Sequence, residues 1–443
     1  MENLLFLLFI VGYIVITLEH SLKFDKLIPA LTMMALMWAV ISLGHLNVFM
    51  VDESLNQLVP SHFEETLLHH FGKTAEILIF LIGAMTIVEI IDYFDGFSAI
   101  KGFVKTQNKR KLIWVFSILG FFLSAVIDNL TATIILISIL RKLIHDKTLR
   151  IWYASLIVIA ANAGGAWSPI GDVTTTMLWI ANKVTSVNLI LHLFIPSVIA
   201  IVIPASIASF LPIFKGNLES VKIKEEKTAK YSLLMLILGL GGIIFVPVFK
   251  TITHLPPYLG MMFSLSIIAL VAEILCNRKL RMTSPDDEDV KPVHQSPLHK
   301  ALTKVEMPSI LFFLGILMAV AALESVGNLF HFAEWLNVAI PNIDLVVMSL
   351  GFGSAVIDNV PLVAASIGMY SESVDNPLWH FIAFSAGTGG SMLIIGSAAG
   401  VVAMGMEKID FFWYLKNISW IALLGFLGGS GAFILIRTIL IQY

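Results

Sequence analysis

Long apolar runs alternate with short polar connectors along the whole chain. Runs long enough to cross a bilayer as helices fall at 3–19, 27–44, 73–93, 152–183, 188–213, 230–249, 257–276, 306–326, 378–406 and 415–441, so about ten spans are expected. Two further apolar segments do not read as simple crossings. In the first, Lys109-Arg110-Lys111 leads into an apolar arm (Leu112 to Leu123), a polar tip at 124–131, and a second arm (Leu130 to Leu140) that ends at Arg141-Lys142. The second repeats the form, with Ile343 to Gly353, a tip at 354–361, and Val360 to Tyr370. Half-length arms around a polar tip predict a re-entrant helical hairpin, a shape tolerated at membrane depth where the irregular backbone is buried or lines a cavity.

The tips are the same six residues, Ser124-Ala125-Val126-Ile127-Asp128-Asn129 and Ser354-Ala355-Val356-Ile357-Asp358-Asn359. The likeness extends upstream, where Ile79-Phe80-Leu81-Ile82-Gly83 matches Leu311-Phe312-Phe313-Leu314-Gly315 and sets Asp92 opposite Glu324. Downstream, Gly164, Gly165 and Gly171 match Gly389, Gly390 and Gly396. These glycines, with Pro169, interrupt long apolar runs and predict transmembrane helices broken at 162–176 and 386–400. Nine Lys/Arg residues lie from Lys101 through Arg150, whereas none lies between Lys304 and Lys408, so by the positive-inside rule the hairpins enter from opposite sides.

The expected fold is an all-α polytopic membrane protein of two inverted-topology repeats, each with a re-entrant hairpin and a broken transmembrane helix. Residues 1–72 read as N-terminal helices and an outer loop, 73–213 as the first repeat, 214–229 as a cytoplasmic linker, 230–276 as scaffold helices, 277–304 as a charged cytoplasmic loop, and 305–443 as the second repeat. Phe97 to Val104 and Asn328 to Leu336 read as interfacial helices leading into the hairpins.

Composition agrees, with 57% hydrophobic and 13% charged residues and a mean hydropathy of +0.88. A net charge of -3 offers no basic surface for nucleic acid. The single Cys276 gives no intramolecular disulfide, and no Cys/His spacing suggests zinc. No cofactor is expected, and no nucleophile–base pair marks an enzyme. The run Leu4 to Leu18 has no basic flank or small-residue cleavage site and reads as a retained membrane segment. His62, His69 and His70 with Glu64 and Glu65 read as a solvated outer loop, and the loop holding Asp286-Asp287-Glu288-Asp289 as a solvated connection.

The candidate chemistry lies at the tips and the breaks. A charged side chain at bilayer depth costs about 2.5 to 17 kcal/mol unless it faces a cavity, a partner or an ion. Two such acids related by a repeat suggest a cation site where the repeats meet. Ser124 and Asp128 are four apart, as are Ser354 and Asp358, so each hydroxyl and carboxylate share a helical face. The plainer alternative is that each Asp caps a short helix. The first break adds Asn162, Asp172, Thr174 and Thr175, while the second, with Ser391 and Ser397, places a serine where the first has Asp172. Glu89, Asp92, Glu273 and Glu324 near span ends read first as residues snorkelling to the interface, and otherwise as parts of proton paths.

The repeated Ser-Ala-Val-Ile-Asp-Asn and the run Gly164-Gly165-Ala166-Trp167-Ser168-Pro169-Ile170-Gly171-Asp172-Val173-Thr174-Thr175-Thr176 resemble NhaD-type sodium/proton antiporters of the ion transporter superfamily. The resemblance covers nearly the whole chain. It implies a homodimer with a scaffold part and a moving transport part, in the lipid bilayer of a bacterial inner membrane. Sodium-coupled dicarboxylate relatives carry Ser-Asn-Thr at the tip, with a serine where this chain has Asp128 and Asp358; this departure favours cation exchange over anion symport.

The expected substrates are therefore sodium or lithium ions and protons. Asp128 and Asp358 would bind the cation when ionised and release it on protonation, with Ser124, Asn129, Thr131, Ser354 and Asn359 completing the shell.

Overall fold

The computed structural model describes residues 2–17, 25–52, 57–101, 106–218, 231–280 and 296–441. The segment 18–24 and most of the acidic loop and first linker, at 281–295 and 219–230, lie outside the described residues, as do 53–56 and 102–105. Twenty α-helices and one two-stranded sheet are described.

Helices α1 (Glu2–Thr17) and α2 (Leu27–Leu43) are followed by an antiparallel hairpin of β1 (Val48–Asp52) and β2 (Gln57–Ser61), in which Met50 faces Val59. The 31-residue α3 (Phe63–Tyr93) is about 46 Å long at 1.5 Å per residue, enough to cross a bilayer. It begins ten residues before the apolar run, so His69 and His70 are helical; His70 is buried and packs near the Trp38 ring, correcting the solvated-loop expectation. A one-turn α4 (Ser98–Lys101) covers the described part of the first expected interfacial helix.

Helices α5 (Lys109–Ile127) and α6 (Asn129–Leu143) meet at Asp128, pack on one another, and both lie against α7 (Lys147–Gly165). Asn108 starts α5 by accepting the Lys111 amide, and Asp146 starts α7 by accepting the Thr148 amide. After a seven-residue gap, α8 (Val173–Ile180) continues from α7. Then come α9 (Ser186–Phe210), α10 (Ser232–Thr253) and α11 (Pro257–Leu280), followed by α12 (Pro297–Lys304), an amphipathic helix within the second expected linker.

The second half follows the same order. It has α13 (Met307–Ser325), α14 (Asn328–Ala339), α15 (Ile343–Ser354), α16 (Asn359–Met369), α17 (Pro377–Gly389), α18 (Ala398–Glu407), α19 (Phe411–Asn417) and α20 (Ser419–Ile441). Helix α14 places Phe332 and Trp335 on an exposed apolar face, as an interfacial helix would.

Among the described residues, seven helices are long and apolar enough to cross a membrane. Six fall on expected spans and the seventh is α5, the first arm of the first helix pair. The other expected spans correspond to α1, α2 and the interrupted pairs α7/α8 and α17/α18. The chain is a multi-pass membrane protein.

The identical hexapeptides adopt different backbones. In the first copy the helix runs through Ile127 and Asp128 alone breaks it, at φ 75°; in the second the helix ends at Ser354 and Asp358 has φ -48°. Gly351 and Gly353 precede the second tip where Phe121 and Leu123 precede the first, and glycine weakens a helix by about 1 kcal/mol per residue. Positive φ at a non-glycine residue costs of order 1–3 kcal/mol, and the packing around Asp128 has to offset it.

Candidate functional site

Each broken helix is held to an acid-bearing helix pair by equivalent contacts. A side chain at Gly164 would collide with the backbone of Phe121, and one at Gly389 with the backbone of Gly351. Gly171 meets the Ser124 carbonyl and Gly396 that of Ser354; Gly165 abuts Gly171, and Gly390 abuts Gly396. The tip hydroxyls complete the joint, since Ser124 donates to the Ala161 carbonyl at 2.6 Å and Ser354 to that of Ala386 at 2.7 Å. Glycine is needed at 164 and 389 because two backbones meet there without room for a methyl group.

This joint brings both tips and the first break around one cavity of about 70 Å³. Asp128, Asn129, Asp172, Asp358 and Asn359 line it, so carboxylates from both halves face the same small space. Asp128 accepts from the Thr131 amide and hydroxyl, each at 2.8 Å. Asp358 accepts from the Val360 amide at 3.4 Å. Both acids therefore cap the helices that follow them, and both also line the cavity.

Asp172 accepts from the Thr174 hydroxyl at 2.8 Å and from the Asn359 amide at 2.9 Å, joining the first break to the second tip. In the reciprocal position Asn129 donates to the Asn162 side-chain oxygen, and Asn162 donates to Ser397, each at 3.0 Å. At the place that Asn162 holds in the first half the second has Gly387, and a Cβ there would sit 3.6 Å from the Asp172 carboxylate. The missing side chain makes room for the Asp172 carboxylate.

The other expected ligands serve the frame. Thr175 donates to the Asp172 carbonyl at 2.9 Å, and Ser391 donates to the Thr388 carbonyl at 2.7 Å while its own carbonyl accepts from Tyr414. Thr174 reaches the cavity through Asp172, Asn162 through Asn129 and Ser397 through Asn162, whereas Ser124 and Ser354 bond only the backbone of the broken helices. Pro169 lies in the turn of the first break, and its carbonyl accepts from Thr176. Lys26, Thr176 and Ser309 also line the cavity, and sequence reading did not single them out.

Helix α3 gives the depth. Its residues Phe80, Leu81, Ala84 and Met85 line the central cavity; His69, His70 and Lys73 near its start line a second of about 100 Å³; Glu89 and Asp92 near its end line a third of about 540 Å³. The central cavity shares Met85 and Leu130 with the third, and none of its lining residues with the second. A fourth, of about 150 Å³, lined by Asp25, Lys26 and Glu306, joins central and third through Leu130.

Lys304 pairs with Asp92 at 3.2 Å and Glu89 at 3.6 Å in the third cavity. The hydrogen bond to Asp92 is the main reason the Lys304 ammonium is held above its usual pKa. Glu273 accepts a hydrogen bond from Ser296. Glu324 lies in the second cavity with Lys73 and Lys183 rather than at an open interface.

A citrate transporter family model matches residues 10–379. Sodium/proton antiporter 1 of Arabidopsis thaliana is 40% identical over 440 residues, covering 98% of this chain and 72% of that protein. Sodium/proton antiporter 2 of the same plant is 39% identical, covering 96% and 97%. The Na(+)/H(+) antiporter NhaD of Vibrio cholerae is 30% identical over 447 residues, covering 95% and 88%.

Proposed function

We propose, from the premise that this chain belongs to the family of the NhaD-type sodium/proton antiporters it matches, that it exchanges sodium for protons across its membrane. One observation carries the assignment of the site: Asp128, Asp172 and Asp358, from two helix pairs and a broken helix, converge on a single small cavity at mid-depth along α3. Ionised, these carboxylates offer oxygens to a sodium or lithium ion, with Asn129 and Asn359 beside them; protonated, they release it. A site that crosses with a cation or a proton but not empty gives obligatory exchange. Each pH unit then supplies about 1.4 kcal/mol per proton, and 100 mV about 2.3 kcal/mol per net charge moved.

In this reading 73–213 and 305–443 are inverted repeats and the helix pairs at 109–143 and 343–369 are re-entrant hairpins. The matched residues Asp92 and Glu324 support the inversion, because they line cavities at opposite ends of α3. The basic flanks of the first pair favour the cytoplasmic side for the third cavity, which borders the site at Met85 and Leu130. The protein acts as a homodimer in a bacterial inner membrane.

Citrate transport, the description attached to the family model, is disfavoured by the site, where a tricarboxylate would meet three carboxylates and one ammonium. Purified protein in proteoliposomes with a preset proton gradient and an internal pH dye tests the two. Adding sodium alone is expected to move protons, and citrate is expected to change nothing. Proton movement that requires citrate together with sodium would overturn the assignment.

A further inference from the structure

The two tips share six residues, yet their acids are satisfied by different partners. Position 131 is threonine, and its amide and hydroxyl both bind Asp128. The matching position in the second copy is Pro361, which has neither an N–H nor a hydroxyl to give. Asp358 keeps only the long Val360 hydrogen bond within its own helix, and the Lys26 ammonium stands 3.5 Å from its Oδ2. The Phe312 ring lies 4.4 Å beneath that ammonium and fixes its position.

We propose that Lys26 is a tethered rival of the transported cation: it occupies Asp358 in the empty site and has to leave that carboxylate before a sodium ion binds there. A sodium ion on Asp358 would lie within a few ångströms of the ammonium in this small cavity, and like charges at that range repel, so the two compete for the carboxylate. The displaced side chain has a place to go, since Lys26 also lines the adjoining cavity, where Asp25 and Glu306 offer acidic partners. When sodium leaves, the ammonium returns to Asp358 and stays until a proton neutralises the carboxylate. The role rests on the antiporter reading above and adds a residue that sets how strongly the site holds sodium.

The test is equilibrium binding of radioactive sodium to detergent-solubilised full-length protein at one fixed pH. Lys26→Met is expected to lower the half-saturating sodium concentration about tenfold, and Lys26→Arg to leave it near the wild-type value. A gain in affinity is a result that mere damage to the fold does not produce. An unchanged or weaker affinity in well-folded Lys26→Met overturns the proposal. If that variant does not fold, acylation of Lys26 in the wild type, read by mass spectrometry, decides: sodium is expected to increase its labelling, and labelling indifferent to sodium overturns the role. Wild type that binds no sodium would instead contradict the antiporter reading itself, so the two failures are distinct.

Discussion

Alanine at Gly164 or Gly389 is expected to disable the protein by forcing apart the two layers that form the site. An alanine methyl at 164 would lie 2.7 Å from the Phe121 Cα and 2.8 Å from its carbonyl carbon; at 389 it would lie 2.9 Å from the Gly351 Cα and 2.8 Å from its carbonyl carbon. Carbon atoms in contact normally stand about 3.5–4.0 Å apart, so each helix pair would have to retreat by roughly 1 Å. Overpacking of this kind costs about 1–3 kcal/mol. The retreat also stretches the hydrogen bonds from Ser124 to Ala161 and from Ser354 to Ala386, which places the tips away from the cavity. Gly241 in α10 is the control, because nothing lies within 4 Å of its added Cβ, and alanine there is expected to gain up to about 1 kcal/mol of helix stability. Thermal unfolding in detergent, followed by tryptophan fluorescence, is expected to rank Gly241→Ala at or above wild type and the other two below it, with exchange lost in both. Gly164→Ala and Gly389→Ala proteins that match Gly241→Ala in stability and exchange at the wild-type rate would refute the reasoning.

Two further predictions concern the frame. Glu407, fully buried at the end of α18, binds Arg141 of α6 at 2.7 Å and Arg150 of α7 at 2.9 Å and so ties the second broken helix to the first helix pair and to the first broken helix; because both arginines keep some water, Glu407→Gln is expected to cost about 2 kcal/mol in thermal unfolding, and an unchanged midpoint would refute the tie. Asp375, in the loop before α17, accepts from the Thr185 amide and hydroxyl and from Asn188. Burial alone would raise its pKa, but these hydrogen bonds and the neighbouring His380 bring it below the ordinary carboxyl value. A depressed native pKa means stability that is present above the unfolded value of about 3.9 and lost as pH falls below it through the native value. Asp375→Asn is therefore expected to flatten the acid limb of the stability curve, and an unaltered limb would show that Asp375 is not its source.

How much of this was legible in the sequence follows from where the information lies. The repeated hexapeptide and the spaced glycines are local and identical in both halves, so they marked the acid-bearing breaks and the interrupted helices directly. The partner of Asp172 was not legible, because Asn359 lies 187 residues away and only tertiary packing brings them together. Lys26 escaped notice because a lysine at the edge of an apolar run reads as an ordinary interfacial anchor; the signal available was Pro361 in place of Thr131, which deprives Asp358 of its local donors. The start of α3 was misplaced because hydropathy marks only the part of a helix immersed in lipid, whereas Phe63 to Gly72 continue it with polar residues. The β1–β2 hairpin was missed because ten short strand positions between helices carry too little alternation to be seen.

The central claim is that Asp128 and Asp358 carry the cation and the proton in turn. It is tested most directly by sodium-driven proton movement in proteoliposomes of wild type, Asp128→Asn and Asp358→Asn, with equal amounts of folded protein in each. The account predicts sodium-dependent alkalinisation or acidification, set by the gradient, in wild type and none in either variant. Full exchange by both variants would contradict it.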